Sequence, residues 1–470
     1  MMEKSLHIIK RIIPVKLFKA VQPAYHFLLA WFSSVVYRHP SEKLIVIGVT
    51  GTTGKTTSVF LIAKMLEAAG HKVGYTSTAM FSDGAREWLN DKKMTMAGRF
   101  FTQEILQKMA RNGCRYAIVE TTSEGVRQFR HRFINYDIII FTGLYPEHIE
   151  SHGSFEKYRE AKGQLFAHLK KCRIKFTDDK NKVILGVSNL KKIELNRVKK
   201  TTILNLDDDQ ADYFANFWAE EKLGYGRTTG GDKEDTIKKM NRFVEYVDIE
   251  SSSSGTTFKV QDADINLKLL GGFNAANAMN AVCLGLVRGI SLATIKKSLE
   301  GIAGIPGRLE MIDEGQDFTV IVDYAFEPNA LAKLYETVEG LPHDRVIHLL
   351  GSAGGGRDMA RRPALGQIAG KHAQIVIITN EDPYDENPEI IIDQVALGSE
   401  KAGKKNGEDL FRILDRRAAI NKALSEARTG DLVLITGKGS EQAICVADEK
   451  KIPWDDRQVV REELHKISMQ

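Results

Sequence analysis

Leu44-Ile-Val-Ile-Gly-Val-Thr-Gly-Thr-Thr-Gly-Lys-Thr-Thr57 joins an apolar run to a glycine-rich turn, and its reading decides the fold. The run Leu44–Ile47 has the pattern of a buried strand, and Val59 to Leu66 beyond the turn reads as a helix. A strand, a turn containing Gly51, Thr52, Thr53 and Gly54, and a helix opening on Lys55, Thr56 and Thr57 build a nest for nucleotide phosphates. Glycines let N–H groups crowd around the anion, lysine meets the outer phosphates, and a hydroxyl reaches Mg²⁺. The expected ligand is ATP or GTP. Val49 stands where the general pattern has its first glycine. A bare strand-to-helix turn would need neither the lysine nor the paired threonines.

Outward from this loop, short apolar runs alternate with helical segments. The runs at 44–49, 116–119, 137–142 and 203–204 each end in a polar or glycine-rich turn, which predicts parallel strands with crossover helices. Residues 244–248, 257–260 and 265–269 alternate apolar and polar around the turn Ser251–Gly255, the pattern of a small antiparallel elaboration. A helix follows from Asn274 to Gly289. A second series begins near Ile305-Pro306-Gly307, with strands at 318–322, 346–350, 375–379 and 432–436. The reading is an α/β chain: a short segment 1–43, a central P-loop ATPase-like domain 44–304 with a mostly parallel sheet, and a C-terminal Rossmann-like α/β domain 305–470.

The 470 residues are 43% hydrophobic with a net charge of +5, spread without a basic tract, so nucleic-acid binding is not indicated. Cys114, Cys172, Cys283 and Cys445 stand singly, which argues against a zinc site or a disulfide framework and fits a reducing cytoplasm. Lys4, Lys10, Arg11 and Lys16 precede an apolar, aromatic stretch from Ala24 to Tyr37. It is short of the ~20 apolar residues that span a bilayer. Two readings stay open: a helix packed on the body, or peripheral membrane contact through residues 12–37 at the inner membrane face.

In open α/β sheets ligands gather at the carboxyl ends of strands. Glu120 ends the run Tyr116–Val119, and a carboxylate beside a phosphate loop is a natural Mg²⁺ ligand. His148 follows the strand 137–142. Lys162 shares a helical face with Tyr158, Leu165 and Phe166, so it either snorkels or becomes a neutral amine able to combine with CO₂ as a carbamate.

Gly48–Thr57, Glu120–Arg130 and Phe141–Phe166 together resemble the ATP-dependent Mur ligases, in particular the branch adding the third amino acid to the peptidoglycan precursor. The resemblance continues through Asn205-Leu-Asp-Asp, Gly272-Phe-Asn274-Ala-Ala-Asn277, Pro306-Gly307-Arg308, Asp323-Tyr324-Ala325, Gly355-Gly356-Arg357-Asp358, Asp415-Arg416 and Gly437-Lys438-Gly439. It implies a cytoplasmic, monomeric ligase that uses ATP and Mg²⁺ to join an amino acid to a muramyl peptide through an acyl phosphate. It also implies that Lys55 meets the β/γ-phosphates, that Thr56 and Glu120 serve one Mg²⁺, and that His148 and carbamylated Lys162 serve a second. Asn277 would hold the nucleotide, and Arg308 and Asp323 would complete the ATP site from the domain junction. Substrate contacts would come from Thr122, Ser123, Arg130, Arg357, Glu381, Asp382, Lys438 and Glu441.

The chain departs from the family pattern at several points. Thr53 replaces the usual asparagine, Glu124 and Phe326 replace histidines, and Ser440 replaces the histidine of Gly-Lys-Gly-His-Glu. The Asp-Asn-Pro-Arg motif associated with diaminopimelate reads Glu381-Asp382-Pro383-Tyr384. No arginine remains there to grip a second carboxylate, and the two acids would suit a cationic amine. Only about 43 residues precede Leu44, where the resemblance implies a UDP-binding domain, so the expectation is reduced uridine recognition or a lipid-linked acceptor. Competing readings are a folylpolyglutamate- or cyanophycin-type ligase and a nucleotide-binding protein that has lost catalysis. Gly54-Lys55-Thr56-Thr57 favours the Mur branch, and retention of Lys162 and His148 favours catalysis.

Overall fold

Ile45–Thr50 is fully buried because it lies inside an eleven-stranded sheet with side chains packed on both faces. The computed structural model describes residues 15–147, 152–177, 183–185, 195–227, 233–356 and 358–469. In spatial order the strands are Ala263–Leu267, Gly255–Val260, Arg242–Ser252, Glu221–Gly226, Thr201–Asn205, Ile138–Phe141, Ile45–Thr50, Tyr116–Glu120, Val73–Thr76, Met80–Ser82 and Glu87–Leu89. Pairing is parallel from Arg242–Ser252 through to Val73–Thr76 and antiparallel at both edges. Period-two alternation divides the central strand between two cores: Ile45, Ile47 and Val49 face one, and Leu44 and Val46 the other. The helices Lys55–Ala68 and Phe273–Val287 fill the first core. The second takes Phe155–Leu169, whose Phe166 ring lies 4.9 Å from that of Phe214.

A buried charge cluster ties these strands together. Asp137 accepts from Lys175 at 2.6 Å, from Lys200 at 2.8 Å and from the Val46 amide at 2.8 Å, with none of the three charged side chains more than 2% exposed. Such a cluster holds only while complete, because removal of the carboxylate strands two ammonium groups in low dielectric.

The second sheet has six strands, ordered Glu310–Met311, Thr319–Val322, Leu432–Ile435, Val346–Leu350, Ile375–Thr379 and Leu410–Ile413. All pairs but the first are parallel, and helices cover both faces. Strands up to Leu267 thus belong to the first sheet, apart from a small antiparallel sheet of Lys175–Thr177, Val183–Leu185 and Asn196–Val198, and those from Glu310 to Ile435 belong to the other. The carboxyl ends of both face a shared cleft of about 1090 Å³.

The N-terminal helix is longer than its apolar core suggests, running from Val15 to Val36 with Pro23 inside. It packs on the body through Phe27, 5.2 Å from the Phe133 ring, and Phe32, 6.1 Å from Phe100. Its outer side leaves Val21, Leu28, Trp31, Val35 and Val36 exposed. Among the described residues no helix is long and apolar enough to cross a membrane.

Candidate active site

Gly54 takes φ of 76°, and a Cβ there would stand 2.2 Å from Asn277 Oδ1. Glycine is therefore required both by conformation and by space. The turn is further held by the Thr52 amide on Gly143 O at 2.8 Å and by Thr142 Oγ1 on Thr53 O at 2.7 Å. Behind it the helix Lys55–Ala68 leaves its first amides open to the cleft, the arrangement that receives phosphate oxygens. The Lys55 ammonium folds back on Thr52 O at 2.6 Å. Burial lowers this amine from its ordinary value, against the pull of Glu120 and Glu147.

Thr56 Oγ1 donates to Glu120 Oε2 at 2.9 Å. The same carboxylate accepts from the Thr78 amide at 2.8 Å and from Thr78 Oγ1 at 3.0 Å, so its position is fixed before any cation arrives. A hydroxyl and a carboxylate beside a phosphate loop are the oxygen donors Mg²⁺ takes alongside phosphates and water. The residues fit that ion.

Lys162 is buried, donating to Gly51 O at 2.7 Å with its ammonium 4.8 Å from the centre of the Tyr158 ring. Burial, with neighbouring Lys55 adding repulsion, drives its amine well below the ordinary range. The side chain therefore does not snorkel to solvent, and burial favours the neutral amine. Glu147 lies in the same pocket, and burial together with the Glu327 charge pushes its carboxyl up to about 7. His148 and Arg357 lie outside the described residues.

The second sheet closes the cleft. Arg308 Nη2 reaches Thr56 Oγ1 at 3.5 Å, with its guanidinium 4.2 Å from the centre of the Tyr324 ring. Asp323 accepts from the amides of Leu309 and Ala325, each at 2.7 Å, so it anchors the turn that carries Arg308. Tyr145 donates to Glu327 at 2.7 Å, a further bridge between the two sheets. Asn277 stands against Gly54, with its Nδ2 on Asn274 Oδ1 at 2.9 Å.

On the other flank, Thr122 caps the helix Ser123–Arg127 by accepting from the Gly125 amide at 3.0 Å. Ser123 Oγ lies 3.1 Å from His152 Nε2, a residue that sequence reasoning passed over. Burial and Arg127 push His152 down to about 4, so it is neutral at pH 7. Arg130 bonds Met96 O at the cleft edge and Gln128 Oε1 at 2.7 Å.

Two residues expected to contact substrate at the C-terminal end already have partners within the protein. Lys438 does not face the cleft: it is fully buried, with its ammonium on Asp382 Oδ1 at 2.8 Å, Glu441 Oε2 at 2.9 Å and Ala443 O at 2.6 Å. With its donors spent, it holds the two carboxylates in place. Nor is Asp382 an open acid awaiting a cationic amine, since Lys93 of the central sheet's edge already pairs with it at 2.8 Å. Glu381 differs. It is buried, its carboxyl is raised by burial, and its Oε2 accepts no hydrogen bond among the described residues. Gly437 leaves room for that oxygen, because a Cβ there would lie 2.6 Å from it. Thr78, Glu147, His152, Glu327 and Lys93 are the site residues the sequence reading missed. Their partners are remote in the chain, although the Glu327-Pro328 pair is a legible helix start.

Residues 49–194 and 187–285 match the Mur ligase middle domain, and residues 307–439 match the Mur ligase glutamate ligase domain. Over 453 residues the chain is 36% identical to the UDP-N-acetylmuramyl-tripeptide synthetase of Roseiflexus sp. strain RS-1, covering 95% of this chain and 83% of that protein. It is 32% identical over 438 residues to the UDP-N-acetylmuramoyl-L-alanyl-D-glutamate–2,6-diaminopimelate ligase of Bacillus cereus, covering 92% and 81%. A solved structure of a UDP-N-acetylmuramoyl-L-alanyl-D-glutamate–2,6-diaminopimelate ligase superposes with a TM-score of 0.55 at 27% identity, over 91% of this chain and 79% of that one. Mycobacterium tuberculosis folylpolyglutamate synthase shares the fold, with a TM-score of 0.61 at 14% identity over 87% of this chain and 92% of that one. The matched regions carry the strands whose carboxyl ends form the cleft, and the chain belongs to the Mur ligase family.

Proposed function

We infer that this protein is an ATP-dependent, ADP-forming ligase that joins an amino acid to a muramyl peptide during peptidoglycan synthesis. The observation that carries the reading is Arg308, which comes from the start of the second sheet and meets the phosphate-loop hydroxyl of Thr56. A residue so placed serves phosphoryl transfer across a closing cleft.

The chemistry follows from charge and position. A substrate carboxylate oxygen attacks the γ-phosphorus of ATP, the bond to the β-phosphate oxygen breaks, and ADP leaves. The amino nitrogen of the second substrate then attacks the acyl carbon. The tetrahedral intermediate expels inorganic phosphate, and the nitrogen gives up its proton to leave an amide. Lys55, the open amides of its helix and Arg308 offset the charge that develops on the phosphoryl oxygens. Mg²⁺ held by Thr56 and Glu120, with His148 and Lys162 serving a second ion, would supply further neutralisation. Lys162 is suited to carbamate formation: its neutral nitrogen bonds to the carbon of CO₂ and releases a proton to solvent, converting a buried amine into an anionic oxygen ligand. Positional isotope exchange in β,γ-labelled ATP tests the order of steps. Scrambling that requires the muramyl acceptor but no amine supports an acyl phosphate, and scrambling that requires the amine contradicts it.

We propose a monomer, with domains at 44–304 and 305–470. A second element of the reading concerns the N-terminal helix. Its exposed Leu28, Trp31, Val35 and Val36 accompany a sequence in which no acid occurs between Glu3 and Glu42 while six lysines and arginines do. An apolar stripe flanked by cations fits the face of an anionic bilayer, which would place the enzyme at the cytoplasmic membrane surface. Sedimentation with phosphatidylglycerol vesicles, reduced by Leu28→Ser with Trp31→Ser, supports this placement. Equal recovery with and without vesicles refutes it.

A further inference from the structure

The edge of the cleft beneath the N-terminal helix carries two half-buried arginines that no acid balances. Arg99 opens the helix Arg99–Arg111, on which the N-terminal helix packs, and Arg130 lines the cleft. The two meet at Gln128. Arg99 Nη2 donates to its backbone oxygen at 2.6 Å, and Arg130 donates to its Oε1 from Nη2 at 2.7 Å and from Nε at 3.2 Å. Among the described residues neither arginine pairs with a carboxylate, and Arg99 Nε is buried without an acceptor. Glu124, the acid that acts on Arg130, bonds Arg127 instead at 3.4 Å. Burial and the Arg130 charge push Arg99 down to about 10. The helix behind Arg99 adds to the same field, because Gly98 at its N-cap offers no side-chain acceptor and its first turn contains no acid.

The surrounding backbone is held at some cost. Phe129 and Phe133, on either side of Arg130, take φ of 55° and 60°, left-handed conformations that strain bulky residues. Both rings meet Phe27 of the N-terminal helix, at 6.2 and 5.2 Å. Tyr25 of the same helix lies close enough to act on the Arg99 charge. The helix and the arginine pair therefore share one edge of the cleft.

We propose that Arg99, together with Arg130, holds the diphosphate that joins the muramyl sugar of the acceptor to its carrier. The proposal rests on the ligase reading, in which the acceptor carboxylate lies against Lys55 and Thr56. The helix Ser123–Arg127 separates Glu120, bonded to Thr56, from Arg130, so the arginine pair meets the other end of the acceptor. Two guanidinium forks side by side match two linked phosphates, and the bound anion relieves their mutual repulsion. The carrier beyond the diphosphate is a nucleoside, or a lipid whose chain follows the N-terminal helix.

Calorimetric titration of three acceptors into wild type, Arg99→Met and Arg99→Lys, each loaded with the non-hydrolysable ATP analogue AMPPNP, tests this. The acceptors are UDP-MurNAc-L-Ala-D-Glu, a short-chain prenyl-diphosphate-MurNAc-L-Ala-D-Glu and MurNAc-L-Ala-D-Glu without a diphosphate. At least one diphosphate form is expected to bind wild type at least tenfold more tightly than the bare sugar peptide. Arg99→Met should lose most of that advantage and Arg99→Lys should keep part of it, while both bind the bare sugar peptide like wild type. The form with the larger advantage names the carrier, nucleoside or lipid. No diphosphate advantage in wild type overturns the proposal, as does an advantage unchanged in Arg99→Met. A loss that extends equally to the bare sugar peptide also overturns it, because Arg99 then only holds the turn at Gln128. Failure of wild type to bind any of the three would instead refute the muramyl acceptor, and with it the ligase reading.

Discussion

Arg308 Nη2 lies 3.5 Å from Thr56 Oγ1, joining the opening of the second sheet to the phosphate loop of the first. Asp323 fixes the turn that delivers this arginine by accepting the Leu309 amide. Loss of one preorganised donor to a developing charge costs about 100- to 1,000-fold in kcat. Arg308→Ala is expected to lower kcat by that factor with a smaller change in KM for ATP. A steady-state comparison in which only KM moves would assign Arg308 to ground-state binding.

Lys162 provides a second prediction. Burial drives its amine well below the ordinary range, which favours uptake of CO₂. Protein equilibrated with ¹³C-bicarbonate is expected to show a carbamate carbon resonance that is absent in Lys162→Ala. The same variant should lose nearly all ADP formation. An identical spectrum from the variant would place the label elsewhere.

Asp137 carries a prediction about stability rather than activity. It balances Lys175 and Lys200 in the interior of the central sheet. Asp137→Ala leaves both cations without a partner and is expected to cost about 3–5 kcal/mol, read as a lowered urea midpoint for the central domain. A loss below about 1 kcal/mol would mean that water or rearrangement reaches the site.

His348 sets part of the response to acid. It is fully buried between Tyr335 and Thr436, and burial pushes it down to about 3 from an ordinary 6.5. The unfolded chain therefore binds a proton that the folded one refuses between these values. Its contribution is complete above pH 6.5 and is lost progressively as pH falls toward 3. From pH 6.5 to 5.0 the loss from this group is about 2 kcal/mol. His348→Gln should flatten the pH dependence of unfolding by that amount, and an unchanged slope would contradict it.

The sequence carries the phosphate loop plainly because strand, turn and helix are contiguous there and each residue type has a local reason. The strands at 116–120, 138–141, 346–350, 375–379 and 432–435 are legible for a similar reason, as short apolar runs ending in polar turns. Val73–Thr76 and Glu221–Gly226 escape notice because glycines interrupt them: Gly74 and Gly224 make room for Met109 and Leu206 rather than contribute apolar side chains. The C-terminal end of the cleft was the least legible part. Lys93 precedes Asp382 by 289 residues and Glu441 by 348, so no local pattern reveals that the acids are already paired. Lys438, conspicuous as a motif lysine, is likewise committed to internal bonds that its local sequence does not reveal.

Measuring ADP release from ATP and Mg²⁺ with UDP-MurNAc-L-Ala-D-Glu, across a panel of amino acids, tests the central claim most directly. The account predicts release that depends on both the muramyl acceptor and one class of amino acid, with a product heavier by that residue. Release independent of both substrates, or none with either a UDP-linked or a lipid-linked acceptor, would contradict it.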